Sequence, residues 1–339
     1  MIAKQERESN IEVLRFLAMF LIVIGHQATH GFDVAKLACN AAGTFTIAMS
    51  QGARIAVDIF VLITGYYSVD QTIKWKKVFT LYRQVWFYSV SVLLIVSLCF
   101  CRQLTINEIL KYVFPIYTSQ FWFASCFLFL MLLLPYINIL VSNIDRHQHM
   151  TLLVILLVPF CIVPTIIPIN TSLYSHLFWF IVLVLVASYI RLYSPPWISK
   201  IKCWHGMLML VSIMVCTSTL WGGVNRSEYV RHNAIYLLAE PNKLSALVCA
   251  MLFFIGFKNT DMGRKRWFNS ISANVFAVYL ITDHPQMRKF IFTPVTSRIE
   301  ADYYPLLYIG WALCLMIVCI IIEMIRLRID KSIFKKAND

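Results

Sequence analysis

Two ionisable residues in the first apolar stretch, Arg15 and His26, stand eleven positions apart. At about 100° per residue, eleven helical steps return almost to the starting face, so the two share one stripe about 16 Å apart along the axis. An imidazole moves protons near neutral pH and a guanidinium grips anions, so this pairing suits proton transfer at one end and anion binding at the other. A headgroup anchor at Arg15 and a satisfied helix-end histidine at His26 are the plainer roles open to the same residues.

Three further groups break apolar runs. Gln51, Arg54 and Asp58 are spaced three and four apart and so lie on one helical face. They fall at about the depth of His26 when each helix is counted from its own end. An Arg54–Asp58 pair that neutralises itself and a pair that lines a cavity with His26 are both compatible with that spacing. Glu240-Pro241-Asn242-Lys243 interrupts a stretch whose continuous part, 244–257, spans only about 21 Å as helix and cannot cross a bilayer alone. Glu240 is therefore expected to face a protein-lined cavity. Asp283-His284-Pro285 interrupts a later stretch in the same way.

The elements that must position these groups are membrane helices. The chain has 339 residues, 59% of them hydrophobic and 14% charged, with a mean hydropathy of +0.70. Soluble domains carry about 25% charge, so a soluble fold is excluded. One all-α polytopic domain covering residues 1–339 is expected, with ten spans at about 11–29, 46–66, 79–100, 121–141, 151–169, 174–192, 203–221, 234–257, 268–292 and 305–326. The Pro-rich stretch around Pro164 and Pro168 makes the fifth span the weakest. Segments on the N-terminal side of the membrane hold roughly twice the Lys and Arg of the opposite side, which predicts both termini in the cytoplasm. That asymmetry accounts for most of the net charge of +13 without nucleic acid. The first stretch lacks a cleavage pattern and is expected to remain as a helix. The ten cysteines lie mostly in apolar runs without ligand spacing, and no metal is expected.

With these residues in view, the chain resembles the family 3 membrane acyltransferases. Arg15 and His26 match that family's Arg-x10-His signature, and Ala56-Val57-Asp58-Ile59-Phe60-Val61-Leu62-Ile63-Thr64-Gly65-Tyr66-Tyr67 is similar to its second-helix run. Lys74-Trp75-Lys76-Lys77 with Tyr82-Arg83 sits where members carry a cytoplasmic basic motif. Phe121-Trp122-Phe123 and Phe276-Ala277-Val278-Tyr279-Leu280-Ile281 are similar to further stretches, in the family's order. Thr64 replaces the usual serine, and Thr282 stands where many members have histidine, with His284 two residues on.

The resemblance implies transfer of an acetyl group from cytoplasmic acetyl-CoA to a hydroxyl of an extracytoplasmic capsule, exopolysaccharide or lipopolysaccharide sugar, in a bacterial cytoplasmic membrane. Arg15, Arg54, Lys76, Lys77 and Arg83 would hold CoA phosphates, and the thioester would reach His26. His26 would be the general base, with an acyl-histidine intermediate as the variant. Asp58 or Glu240 would orient the imidazole. Arg54 or Thr64 would stabilise the oxyanion, and Trp122, Asp283 and His284 are further oxyanion or acceptor-lining candidates. Trp221, Tyr229, Tyr236, Tyr303 and Tyr304 offer aromatic faces to a sugar. The expected partners are acyl-CoA, glycan and membrane lipid. The rival reading is a transporter or flippase, since broken helices with intramembrane charge also form substrate pathways.

Overall fold

The computed structural model describes residues 8–33, 36–69, 75–101, 103–167, 174–223 and 228–336. All regular structure among them is helical, as lipid requires of a chain that must pair its own backbone groups. Eight helical stretches are long and apolar enough to cross a membrane. They are α1 (Ser9–Gly31), α2 (Ala41–Ser68), α3 (Trp75–Cys99), α5 (Trp122–Ser142), α6 to α7 (Arg146–Leu157 and Val163–Ile166), α8 (His176–Tyr193), α9 (Cys203–Gly223) and α15 (Tyr304–Lys336). A short amphipathic helix, α4 (Ile106–Val113), starts on a Thr105–Glu108 capping box.

The two remaining expected spans are interrupted. The eighth is split into α10 (Glu228–Leu237) and α11 (Leu244–Lys258), and the ninth into α12 (Arg266–Ser272), α13 (Phe276–Thr282) and α14 (Pro285–Thr296). Among the described residues eight helices are thus long and apolar enough to cross, and the eighth and ninth expected spans are broken at the interruptions the sequence marks, the ninth also between Ser272 and Phe276. The fifth span, in contrast, holds together across Pro159 and Pro164 through a π-helical turn at Val158–Ile162. Pro168 lies outside the described residues.

The break in the eighth span and the wide turn in the fifth satisfy each other. Asn242 Nδ2 donates to the Phe160 carbonyl at 3.2 Å, Lys243 Nζ donates to the Pro164 carbonyl, and the Leu244 N–H donates to Thr165 Oγ1 at 2.8 Å. Backbone groups freed by the irregular turns therefore have protein partners, the condition for irregular chain at membrane depth.

α1 and α2 form the centre. In their most apolar stretches 67% and 72% of residues are buried, against 28% in α3 and α15. Their crossing is set by Gly25, where a Cβ would fall 2.3 Å from the Cβ of Ala53. Polar ties hold the register of α1. Asn10 Nδ2 donates to the Phe257 carbonyl at 2.9 Å, Ser272 Oγ to the Glu12 carbonyl at 2.7 Å and Gln27 Nε2 to the Tyr308 carbonyl at 2.9 Å. Tyr308 returns a bond from its hydroxyl to the Ile24 carbonyl at 2.7 Å.

Candidate active site

The break in the ninth span builds the site. α13 ends at Thr282, Asp283 is its C-cap, and His284 caps α14, whose first residue is Pro285. His284 Nδ1 accepts the Gln286 N–H at 3.2 Å, which leaves Nε2 to donate to the Ser89 carbonyl 3.2 Å away. Its ring stacks on Tyr112 at 5.2 Å. Both nitrogens are thus engaged, and His284 is a fully buried helix cap.

Arg288, one turn into α14, staples the break. Nε donates to the Asp283 carbonyl at 3.0 Å and Nη2 to Asp283 Oδ1 at 2.7 Å. The buried Asp283 carboxylate is thereby aimed at α1, where His30 Nε2 stands 3.1 Å and His26 Nε2 4.0 Å from the same Oδ1. The two imidazoles occupy one face of α1 a turn apart, with ring centroids separated by 5.0 Å. Tyr279 brings its ring to 6.2 Å from His26.

Three buried polar atoms of this cluster have no hydrogen-bond partner among the described residues: His26 Nδ1, Asp283 Oδ2 and the Tyr279 hydroxyl. With Nε2–H facing the carboxylate, the lone pair of His26 falls on Nδ1. An imidazole with a carboxylate behind it and a free nitrogen in front is equipped to accept a proton.

The carboxylate that faces His26 is therefore Asp283, not Asp58 or Glu240. Arg54 and Asp58, placed on one face by their spacing, do not pair with each other. Arg54 Nη1 lies 3.3 Å from Glu240 Oε1 and donates to the Ile235 carbonyl at 2.7 Å, with its guanidinium 4.4 Å above the Tyr236 ring. Asp58 is fully buried and accepts the Trp179 indole N–H at 3.1 Å. The Gly25–Ala53 contact puts His26 and Arg54, each the next residue along, at one level, as the counting of turns predicted.

Thr64 donates its hydroxyl hydrogen to the Phe60 carbonyl at 2.9 Å, so that hydrogen is committed within its own helix. Trp122 opens α5 with its ring 4.4 Å from that of His176. Of the aromatics expected to meet sugar, Trp221 and Tyr304 are buried in the core, while Tyr303 is exposed. The side chain of Tyr229 lies outside the described residues.

At the Arg15 end, Arg15 forms an ion pair with Glu12 one turn earlier and remains 30% exposed. Arg191 and Lys258 lie 5.0 and 5.4 Å from the centroid of one ring, that of Tyr66. Lys76 and Lys77 are exposed at the start of α3, and Lys74 lies outside the described residues. Arg83 reaches Asp330 at 3.3 Å, beside a buried network in which Arg326 grips Glu323 through Nε at 2.7 Å and Nη2 at 2.6 Å. Tyr88 and Gln84 donate to the same Glu323 carboxylate at 2.6 and 3.0 Å.

Sequence reasoning passed over His30, Arg288, Tyr279 and Trp179. His30 carried a signal, four residues beyond His26 on the same face. Arg288 reads in the sequence as a loop charge, because the break that makes it a staple leaves no mark at its own position. By distance alone His26, His30 and Asp283 could hold a metal ion, their ligand atoms lying within 4.8 Å of one another. Arg288, on the same carboxylate oxygen, already supplies positive charge there, and we read the set as an ion-pair cluster.

No curated protein and no solved structure matches this chain. A family model described as an acyltransferase domain matches residues 8–325, nearly the whole chain. Its reach covers both interrupted helices and the clustered residues, and with the eight apolar helices it leads to one conclusion: the chain belongs to acyltransferase family 3 and is a multi-pass membrane acyltransferase.

Proposed function

We propose that this enzyme transfers an acetyl group from acetyl-CoA, supplied on the cytoplasmic side, to a hydroxyl of an extracytoplasmic cell-surface glycan in the bacterial cytoplasmic membrane. In this reading both termini are cytoplasmic, and the two interrupted helices are the eighth and ninth of ten passes. One observation carries it: the buried, unpartnered Nδ1 of His26, backed by Asp283 and sharing a helical stripe with Arg15 about 16 Å away.

Arg15 meets the phosphates of CoA, with Arg191 and Lys258 beside Tyr66 and the more exposed Lys76 and Lys77 as the approach. Arg54 and Arg83 have less part in this, because each is engaged with a carboxylate. The pantetheine arm spans the stripe and presents the thioester to His26. Nδ1 takes the proton of the acceptor hydroxyl as its oxygen attacks the carbonyl carbon. The C–S bond then breaks, and the thiolate recovers the proton from His26, giving ester and free thiol. Asp283 faces the imidazolium while it lasts, and the Tyr279 hydroxyl is available to the oxyanion. Asp58 and Glu240 stay with Trp179 and Arg54 and support the acceptor side of the bundle, together with Trp122.

The test is expression of wild type and His26→Ala at matched membrane levels in a host lacking the gene. Ester-linked acetyl on the surface polysaccharide is then measured by proton NMR before and after mild base. Acetyl with wild type alone is expected, since losing a general base costs about 10²–10⁴-fold. Equal acetylation by the variant would refute the role of His26, and none from either chain would refute the acceptor.

A further inference from the structure

One carboxylate oxygen in this molecule has more claimants than it can serve. Asp283 Oδ1 takes Arg288 Nη2 at 2.7 Å and His30 Nε2 at 3.1 Å. His26 Nε2 waits at 4.0 Å, beyond hydrogen-bond distance. A carboxylate oxygen offers two lone-pair directions in its plane, so on the Oδ1 side, the one His26 faces, a third donor closes in only when one of the first two withdraws, Oδ2 being the unpartnered oxygen of the pair. Arg288 is anchored twice, to the side chain and to the carbonyl of Asp283. Among the described residues the His30 side chain makes one hydrogen bond, to this oxygen, and it is the group that can yield.

We propose that His30 is a positioning residue for acyl transfer, holding Asp283 away from His26 while His26 is neutral and surrendering the oxygen when His26 gains a proton. This rests on the reading of His26 as the base. The consequence is a base kept weakly paired, with Nδ1 free to take a proton, whose counter-ion arrives only with the charge. The ionisable groups that face His26 are Asp283 and Tyr279 from the broken helix, Arg288 from α14 and His30 from its own helix.

The experiment measures the pH midpoint at which His26 loses reactivity to diethylpyrocarbonate. Labelling is located by mass spectrometry on the full-length protein in detergent with a chelator present. The readout needs no turnover. His30→Leu clears the oxygen, lets His26 close on it and favours the imidazolium. Its midpoint is expected to rise by about one pH unit, a tenfold change in the neutral fraction at acid pH. His30→Gln still donates an N–H to that oxygen and is expected to stay close to wild type, which separates the contest from loss of packing. In an Asp283→Asn background the shift caused by His30→Leu should vanish, as coupling through that carboxylate demands.

An unchanged midpoint in His30→Leu, or equal movement in the Leu and Gln variants, would overturn the proposal. If His26→Ala acetylates as wild type does, the reading of His26 as base fails, and the midpoints still decide whether His30 and His26 compete. If His26 is the base, the acid limb of the acyl-transfer pH profile moves upward with the midpoint in His30→Leu and stays in His30→Gln.

Discussion

Two polar clusters, one beside α1 and one beside α2, are built on opposite principles. Around Asp283, three cationic or protonatable side chains converge on a single carboxylate oxygen. Around α2 the polar groups are kept apart: Arg54 goes to Glu240 and Asp58 to the Trp179 indole. The first arrangement concentrates charge and leaves a nitrogen idle. The second disperses charge into separate bonds. Helical spacing groups Arg54 with Asp58 on one face of α2 and puts His26 on α1, but the partners come from segments distant in sequence, and these set what each cluster can reach.

The comparison is broken most severely by moving the two helices apart. At Gly25 even a methyl group would meet Ala53 Cβ at 2.3 Å, against another helix and not a flexible chain end. Gly25→Leu is expected to cost more than about 3 kcal/mol, the upper range for overpacking, and to abolish a cooperative melt in detergent. Gly25→Ala is expected to lower Tm clearly, and Gly25→Ala with Ala53→Gly to recover most of the loss. An additive double variant would show that the crossing is not set by this contact.

A same-sized neutral replacement at the two carboxylates should next set them apart. Asp283→Asn removes the negative charge between Arg288 and His30. Breaking a buried pair costs about 3–5 kcal/mol, and because Arg288 is 31% exposed we discount this to about 2 kcal/mol. Acyl transfer should fall with it by at least about 100-fold, the lower range for general-base loss. Asp58→Asn still presents a carbonyl oxygen to Trp179 and is expected to stay within about 1 kcal/mol of wild type. Equal losses of stability would mean that Asp58, too, holds a charge partner.

The sequence revealed the membrane class, eight of the helices and the resemblance to the family, because hydropathy over 20 residues and ordered motifs are local properties. It also located the breaks at Glu240-Pro241 and Asp283-His284-Pro285. What those breaks accomplish was hidden. By sequence Asp283 is an oxyanion or acceptor-lining candidate, since nothing near it in sequence says that α14 turns Arg288 back onto it. Arg54 and Asp58 satisfy every spacing rule for an ion pair, yet Glu240 and Trp179 claim them from 186 and 121 residues away, respectively. Pairing across a bundle is a tertiary outcome, and the spacing of three or four residues reports only a shared face.

The smallest effect expected is at Thr64, which with Arg54 is a sequence-level candidate for the oxyanion. A hydroxyl stabilises a developing oxyanion by pointing its hydrogen at it. A threonine has one such hydrogen, and at Thr64 the Phe60 carbonyl takes it at 2.9 Å. Thr64→Val keeps the branched shape and removes an intrahelical bond of about 1 kcal/mol or less. The rate of acetyl transfer should stay within about threefold of wild type, whereas losing an oxyanion donor costs about 10²–10³-fold. A loss of that size in Thr64→Val, with Tm unchanged, would show that the hydroxyl leaves Phe60 during the reaction. The chemistry would then extend from the Asp283 cluster to the face of α2, and the division between the two regions would fall.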